Sequence, residues 1–155
     1  MNIDKIIVTN RSALQNKYGS AGFKKIETAV RQLIAADKKR NLNSVLVFAD
    51  DPSAMKKAKG KAVKDVTDPE QFKNAIDSLF IHYKPDYIML LGATDIVPHC
   101  RFRIPIPDDD DTFVPSDVPY ACEAPFSRNP GDLSLPVAFL GDSRILPGSM
   151  TQPIS

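Results

Sequence analysis

Two histidines and two cysteines are all the chain offers for a thiol–imidazole pair, the arrangement in which a base draws the proton from a cysteine that then attacks a carbonyl carbon. They are His82, His99, Cys100 and Cys122. His99 and Cys100 are neighbours, and adjacent side chains of an extended segment point to opposite faces, so they are not expected to act on each other. His82 falls beside the apolar stripe of a helix and reads as a boundary residue. A pairing of His99 with Cys122 across a sheet edge stays open as the alternative. With no secretory leader and only two cysteines, both are expected to be free thiols rather than a disulfide framework.

The carboxylates form the second group with chemical potential. Asp50 and Asp51 follow one apolar run, Asp95 follows another and Asp142 follows the last. Acids gathered at one edge of a sheet can hold a divalent cation, as in phosphoryl-transfer sites. The same acids also cap helices and tighten turns. No glycine-rich phosphate loop or strand-end lysine accompanies them, which favours the turn reading. Asp108, Asp109, Asp110 and Asp111 supply oxygen ligands suited to calcium, yet lack the interspersed spacing and turn glycine of a calcium loop, and read as a solvated acidic loop. Calcium is thus the one weak cofactor candidate; otherwise none is expected.

These residues need a scaffold, and the hydrophobic pattern supplies an α/β one. Residues 84–98 (KPDYIMLLGATDIVP) contain a near-continuous apolar run ending at Gly92, the profile of a central strand covered on both faces in a parallel sheet. Its exit is the edge where open α/β sheets place ligands. Residues 3–8 read as a first strand or an amino-terminal extended segment, and residues 44–49 (SVLVFA) as another buried strand. A short helix over 11–18, with Ser12 as cap and Gly19 as stop, precedes a longer helix over 21–40 whose buried face is Phe23, Ile26, Val30, Leu33 and Ile34. Thr67, Asp68 and Pro69 open a third helix, with Gln71 able to reach back to Asp68 and with Phe72, Ala75, Ile76, Leu79, Phe80 and Tyr83 as its stripe. Residues 55–64 carry five lysines without an apolar period and read as a solvated loop or frayed helix. Ten of the thirteen prolines lie from Pro98 onward, so residues 98–135 form a long proline-rich loop region, in which 117–122 reads as a short strand. Residues 136–140 (PVAFL) are the last strand candidate. The expected whole is a single α/β domain over 1–155: a three-layer sandwich with a mostly parallel, doubly wound sheet of about four strands. It is expected to be incomplete at its carboxyl end, with the last strand lacking a covering helix and leaving an edge unpaired.

Composition narrows the partners. Twenty Lys+Arg against nineteen Asp+Glu leave a net charge of +1, so no field draws nucleic acid or an anionic membrane. The first fifteen residues hold no apolar core of signal-peptide length, and no stretch is long enough to span a bilayer. The chain as given reads as cytoplasmic.

From Pro85 onward the residues resemble the gingipain-like family of cysteine peptidases, which has a caspase-like fold. Tyr87, Leu90, Leu91, Gly92, Asp95 and Pro98 match a strand of the type YxLLxGxxDxxP, and Ser116, Asp117 and Tyr120 match a Ser-Asp-x-x-Tyr segment. A third block departs: the family has Gly and Arg adjacent, whereas this chain reads Gly141-Asp142-Ser143-Arg144-Ile145-Leu146-Pro147, as if two residues were inserted. The stretches VTNRSALQNKYG and IAADKK also resemble the leading part of bacterial members. In such peptidases the catalytic histidine, in a Gly-His-Gly turn, and the catalytic cysteine, after a later strand, both lie beyond that third block. Neither His99, Cys100 nor Cys122 sits in a matching position, so none inherits those roles. The resemblance therefore implies the amino-terminal half of a peptidase domain, inactive alone, with Asp95, His99, Asp117 and Tyr120 along the edge of the substrate cleft. Its partner is then the remaining half of the domain or a second copy of the chain. Two further readings stand beside it: a binding or assembly module that uses an exposed sheet edge, and a metal-dependent enzyme built on Asp50, Asp51 and Asp95.

Overall fold

A computed structural model of the chain describes residues 2–103, 113–122 and 124–128. The elements in order are β1 (Lys5–Thr9), α1 (Arg11–Lys39), β2 (Ser44–Phe48), α2 (Pro52–Lys57), α3 (Pro69–Tyr83), β3 (Tyr87–Leu90), β4 (Cys100–Arg103), β5 (Phe113–Ser116) and a 3-10 turn at Val118–Ala121. The first three strands make a parallel sheet in the order β2-β1-β3, and β4 and β5 form a separate antiparallel pair. The mixed α/β class and the parallel sheet agree with the sequence pattern; the antiparallel pair is additional.

The centre of the sheet differs from expectation. β1, not the run around residue 88, is the middle strand: it pairs with both others, Lys5 to Val8 facing Ser44 to Val47 on one side and Tyr87 to Leu90 on the other. Ile6, Ile7 and Val8 are fully buried, each contributing about 1.5–3 kcal/mol of apolar burial. β3 lies at an edge of the described sheet, and its residues alternate between exposed and half-buried. Apolar content marks a strand as built for burial on both faces; which strand has two neighbours depends on the order in which the connections cross.

Pairing register sorts the faces. Lys5, Ile7 and Thr9 share a side with Ser44, Leu46 and Phe48, and α1 covers it: Asp37 reaches both Lys5 and Ser44, and Phe23 sets its ring 6.0 Å from that of Phe48. Phe72, Ala75, Ile76 and Leu79 of α3 join one buried cluster with Ile6, Val8 and Val47 of the alternate side.

The helix boundaries follow local chemistry. Gly19 has φ +66° and ψ 173°, a kink inside α1; it sits where the stop between two helices was expected, and the chain resumes its helix directly. The cap at the start of α1 is Asn10 rather than Ser12, its side chain accepting from the Ala13 amide. Asp68 caps α3, accepting from the Glu70 and Gln71 amides at 2.9 and 3.4 Å, and Gln71 reaches back side chain to side chain, its Nε2 donating to Asp68 Oδ2 at 2.9 Å. Lys84 takes a left-handed conformation and Pro85 follows, which stops α3.

The lysine-rich stretch divides into the short α2, anchored by fully buried Met55, and a turn, while Lys56, Lys57, Lys59, Lys61 and Lys64 stay in solvent. Within residues 117–122, expected as a strand, Val118–Ala121 form the 3-10 turn instead, because Pro119 fixes its own φ and the Tyr120 amide closes on the Asp117 carbonyl at 2.9 Å. Asp108, Asp109, Asp110, Asp111, Asp142 and the strand candidate 136–140 lie outside the described residues. No helix among the described residues is long and apolar enough to cross a membrane.

Candidate functional site at the carboxyl edge of the sheet

β1 sends its connection to β2 on one side, and β3 lies on the other, so the exits of β1 and β3 flank the position where an α/β sheet opens a crevice. Here the two exits are tied together. The Thr9 hydroxyl, fully buried, donates to the Leu91 carbonyl at 2.7 Å, and the Leu91 amide donates to the Val8 carbonyl at 2.9 Å. Gly92 then turns with φ +139°, a conformation L side chains rarely adopt, and a Cβ there would stand 2.5 Å from Cβ of Ile96. The chain closes over Ala93, whose carbonyl accepts from the Ile96 and Val97 amides at 2.8 and 2.9 Å.

The acids at these exits each have a partner. Asp50 accepts from the Arg11 amide at 2.8 Å, the Ser12 amide at 2.9 Å and the Ser12 hydroxyl at 2.7 Å, so it serves the amino terminus of α1 from the end of β2. Asp51 accepts from the Ser53 and Ala54 amides at 2.8 and 3.3 Å and caps α2. Asp95 binds Lys17 of α1 through both oxygens, at 2.8 and 2.6 Å. That ammonium holds the Asp95 carboxyl below its ordinary range, and the carboxylate in turn raises Lys17. Among the described residues no three His, Cys, Asp or Glu side chains gather closely enough to hold a metal. The carboxylates of Asp50 and Asp51 act as helix caps, which is the turn reading of the sequence.

The four proposed cleft residues separate into two groups. Asp95 and His99 are exposed on the segment leaving β3. Asp117 is exposed at the start of the 3-10 turn, whereas Tyr120 is buried, its hydroxyl donating to the Pro98 carbonyl. Tyr120 thus fastens the turn to the peptide preceding His99. Its phenol is pushed well above the ordinary range, chiefly by burial.

Neither thiol has an imidazole. Cys100 is fully buried, and burial pushes it up to about 11 against a smaller opposing pull from the Tyr120 hydrogen bond. Cys122 is buried with Sγ directed at the Val118 carbonyl at 3.4 Å, and burial raises it also. The ring of His82 stacks edge-on against Tyr83 at 4.6 Å. Among the described residues no hydrogen bond joins a histidine to a cysteine, so the His99–Cys122 pair is not formed; both thiols are free, as expected.

Two buried charges escaped the sequence reading. Lys73 of α3 is fully buried, pairs with Asp77 one turn on, and donates to the Cys122 carbonyl at 2.8 Å. Burial pushes Asp77 up, opposing that ion pair. Asp37, at 0 % exposure, receives Lys5, Ser44 at 2.6 Å and Arg40 at 2.7 Å. These donors, Lys5 foremost, hold it down to about 2. The available signals were spacing: Lys73 and Asp77 are an i,i+4 pair, and Asp37 continues the stripe Phe23, Ile26, Val30, Ile34 by a further helical step.

Comparison with protein families, with curated proteins and with solved structures finds no match to this chain.

Proposed function

We propose that the chain is the amino-terminal, non-hydrolytic part of a larger α/β domain, a gingipain-like cysteine peptidase domain with caspase-like, three-layer architecture and at least a fourth strand. The observation that carries this reading is β3. Its sequence, YIML, suits an interior strand, yet it stands at the edge of the described sheet with Tyr87 60 % exposed. A strand of this kind calls for a further neighbour. Both thiols being buried and held protonated, acyl transfer to a thiolate would need a cysteine and an imidazole from outside the described residues. In that completed domain the segments carrying Asp95, His99, Asp117 and Tyr120 border the substrate cleft.

The test has two arms. The 155-residue chain should leave a set of fluorogenic peptides uncleaved. The same chain joined to the product of its downstream reading frame, with a Gly-His-Gly turn and a later cysteine, should cleave them in a thiol-dependent manner. Iodoacetamide-sensitive hydrolysis by the chain alone, or a downstream frame lacking both features, would refute the reading.

A second reading, an assembly module that lends its sheet edge to a partner or another copy, draws on the same exposed β3. Light scattering separates the two: a mass that doubles with concentration favours assembly between copies. A metal-dependent enzyme draws least from the geometry, since Asp50, Asp51 and Asp95 are already engaged. A rise in melting temperature with millimolar calcium would revive it.

A further inference from the structure

Between Pro52 and Lys64 the chain carries five lysines and no acid, arginine or aromatic residue. Such a stretch would ordinarily be loose, yet its backbone is fixed at several points. Met55, Ala58 and Val63 are buried. The Gly60 amide donates to the Met55 carbonyl at 2.9 Å, and the Val63 amide to the Ala49 carbonyl at 2.8 Å. Gly60 lies so close to α3 that a Cβ there would stand 2.6 Å from Cβ of Ser78. Further on, Gln71 Oε1 accepts from the Lys64 and Asp65 amides at 2.8 and 3.2 Å. Lys56, Lys57, Lys59, Lys61 and Lys64 stand exposed on this fixed backbone. Among the described residues none of their ammoniums pairs with a carboxylate. The acids that flank the stretch are committed elsewhere, Asp51 to the Ser53 and Ala54 amides and Asp65 to Thr67.

Lys61, Ala62 and Lys64 form, with Gln71 and Asn74 of α3, a groove of about 270 Å³. Asn74 is exposed there, its amide offering both a donor and an acceptor. We propose that this groove, with the lysines of the turn before it, is a docking surface for an acidic peptide segment of a partner protein. Lysine is a compact point charge that suits carboxylates spaced along a chain, whereas phosphate recognition favours the planar fork of arginine. The stretch offers no ring on which a base could stack, and no exposed large apolar side chain that could enter a bilayer. A concave seat with a neutral amide fits a peptide backbone better than it fits a flat lipid surface. Because the whole chain carries only +1, the attraction is local, reaching about 10 Å at ordinary salt. The surface adjoins the end of β2, on the opposite side of β1 from β3. It is therefore independent of the exposed β3 and of the likeness to a peptidase.

Fluorescence anisotropy of a labelled octaglutamate peptide, titrated with the full chain at low salt, tests it. Binding should saturate, and should weaken more than about tenfold when salt rises from about 50 to about 300 mM. Lys61→Gln combined with Lys64→Gln should weaken it about tenfold, and Asn74→Ala, which leaves every charge in place, about threefold. Lys24→Gln combined with Lys25→Gln removes the same charge from exposed positions of α1 and should leave binding unchanged. Melting temperatures equal to that of the parent show that each variant is folded. No saturable binding by the unaltered chain would overturn the inference. An equal loss from the α1 pair would overturn it too, because net charge and not the groove would then be responsible. So would an Asn74→Ala chain that binds as the parent does. Tighter binding of duplex DNA or of phosphatidylserine vesicles than of the peptide would overturn it in favour of a nucleic acid or a membrane.

Discussion

If Cys100 is a structural thiol, it should resist a thiol reagent for a reason that can be computed. Burial raises it to about 11 from an ordinary 9.0. At pH 8 the thiolate fraction is then roughly one in a thousand instead of one in ten, so ionisation alone slows reaction about a hundredfold. Full burial slows it further, since reagent must wait for an opening. The perturbation is 5,5′-dithiobis(2-nitrobenzoate) added to the Cys122→Ser chain, which reports Cys100 alone, with and without urea. The native chain should react at least about a hundredfold more slowly than a free thiol, rise about tenfold per pH unit from 8 to 10, and release its full equivalent once unfolded. A native rate matching that of free cysteine, or one that levels off below pH 8, would show a stabilised thiolate. It would refute the argument that this chain holds no nucleophile.

Asp37 gives a pH signature. Its folded value, near 2, lies below the ordinary 3.8, so its stabilisation is fully present above about pH 4 and is lost as pH falls through 2. Asp37→Asn should melt lower than the parent at neutral pH, and the difference should close on acidification between 4 and 2. Asp50→Ala removes three hydrogen bonds from the start of α1 and should cost about 1–2 kcal/mol in urea unfolding; an unchanged midpoint would show that the cap carries no weight. Gly92→Ala forces an L residue to φ +139° and a Cβ to 2.5 Å from Ile96, and should cost about 1–3 kcal/mol by the same measurement.

Local signals were legible where one stretch of chain decides the outcome. The cap at Asp68 with Gln71 reaching back to it, the break at Gly19, the stop at Pro85 and the solvated lysines all follow from contacts within a few residues. Much of the candidate site was less legible. Asp50 caps a helix thirty-eight and thirty-nine residues upstream, Lys17 meets Asp95 across seventy-eight, and Lys73 supports the Cys122 carbonyl across forty-nine. Such partners share no periodicity, because they meet only after the sheet has aligned the strand ends.

Residue types and their spacing determined, unaided, that this would be an α/β chain with parallel strands and with its acids at the strand exits. They do so because apolar runs, caps and breakers act through the backbone over a turn or two. Tertiary structure alone decided that β1 is the middle strand, that Asp37 and Lys73 are buried with their charges matched, and that no hydrogen bond joins His99 to Cys122. The reason is that neighbours across a sheet are chosen by where the connections cross. Burial and the proton affinity of a side chain then depend on those neighbours.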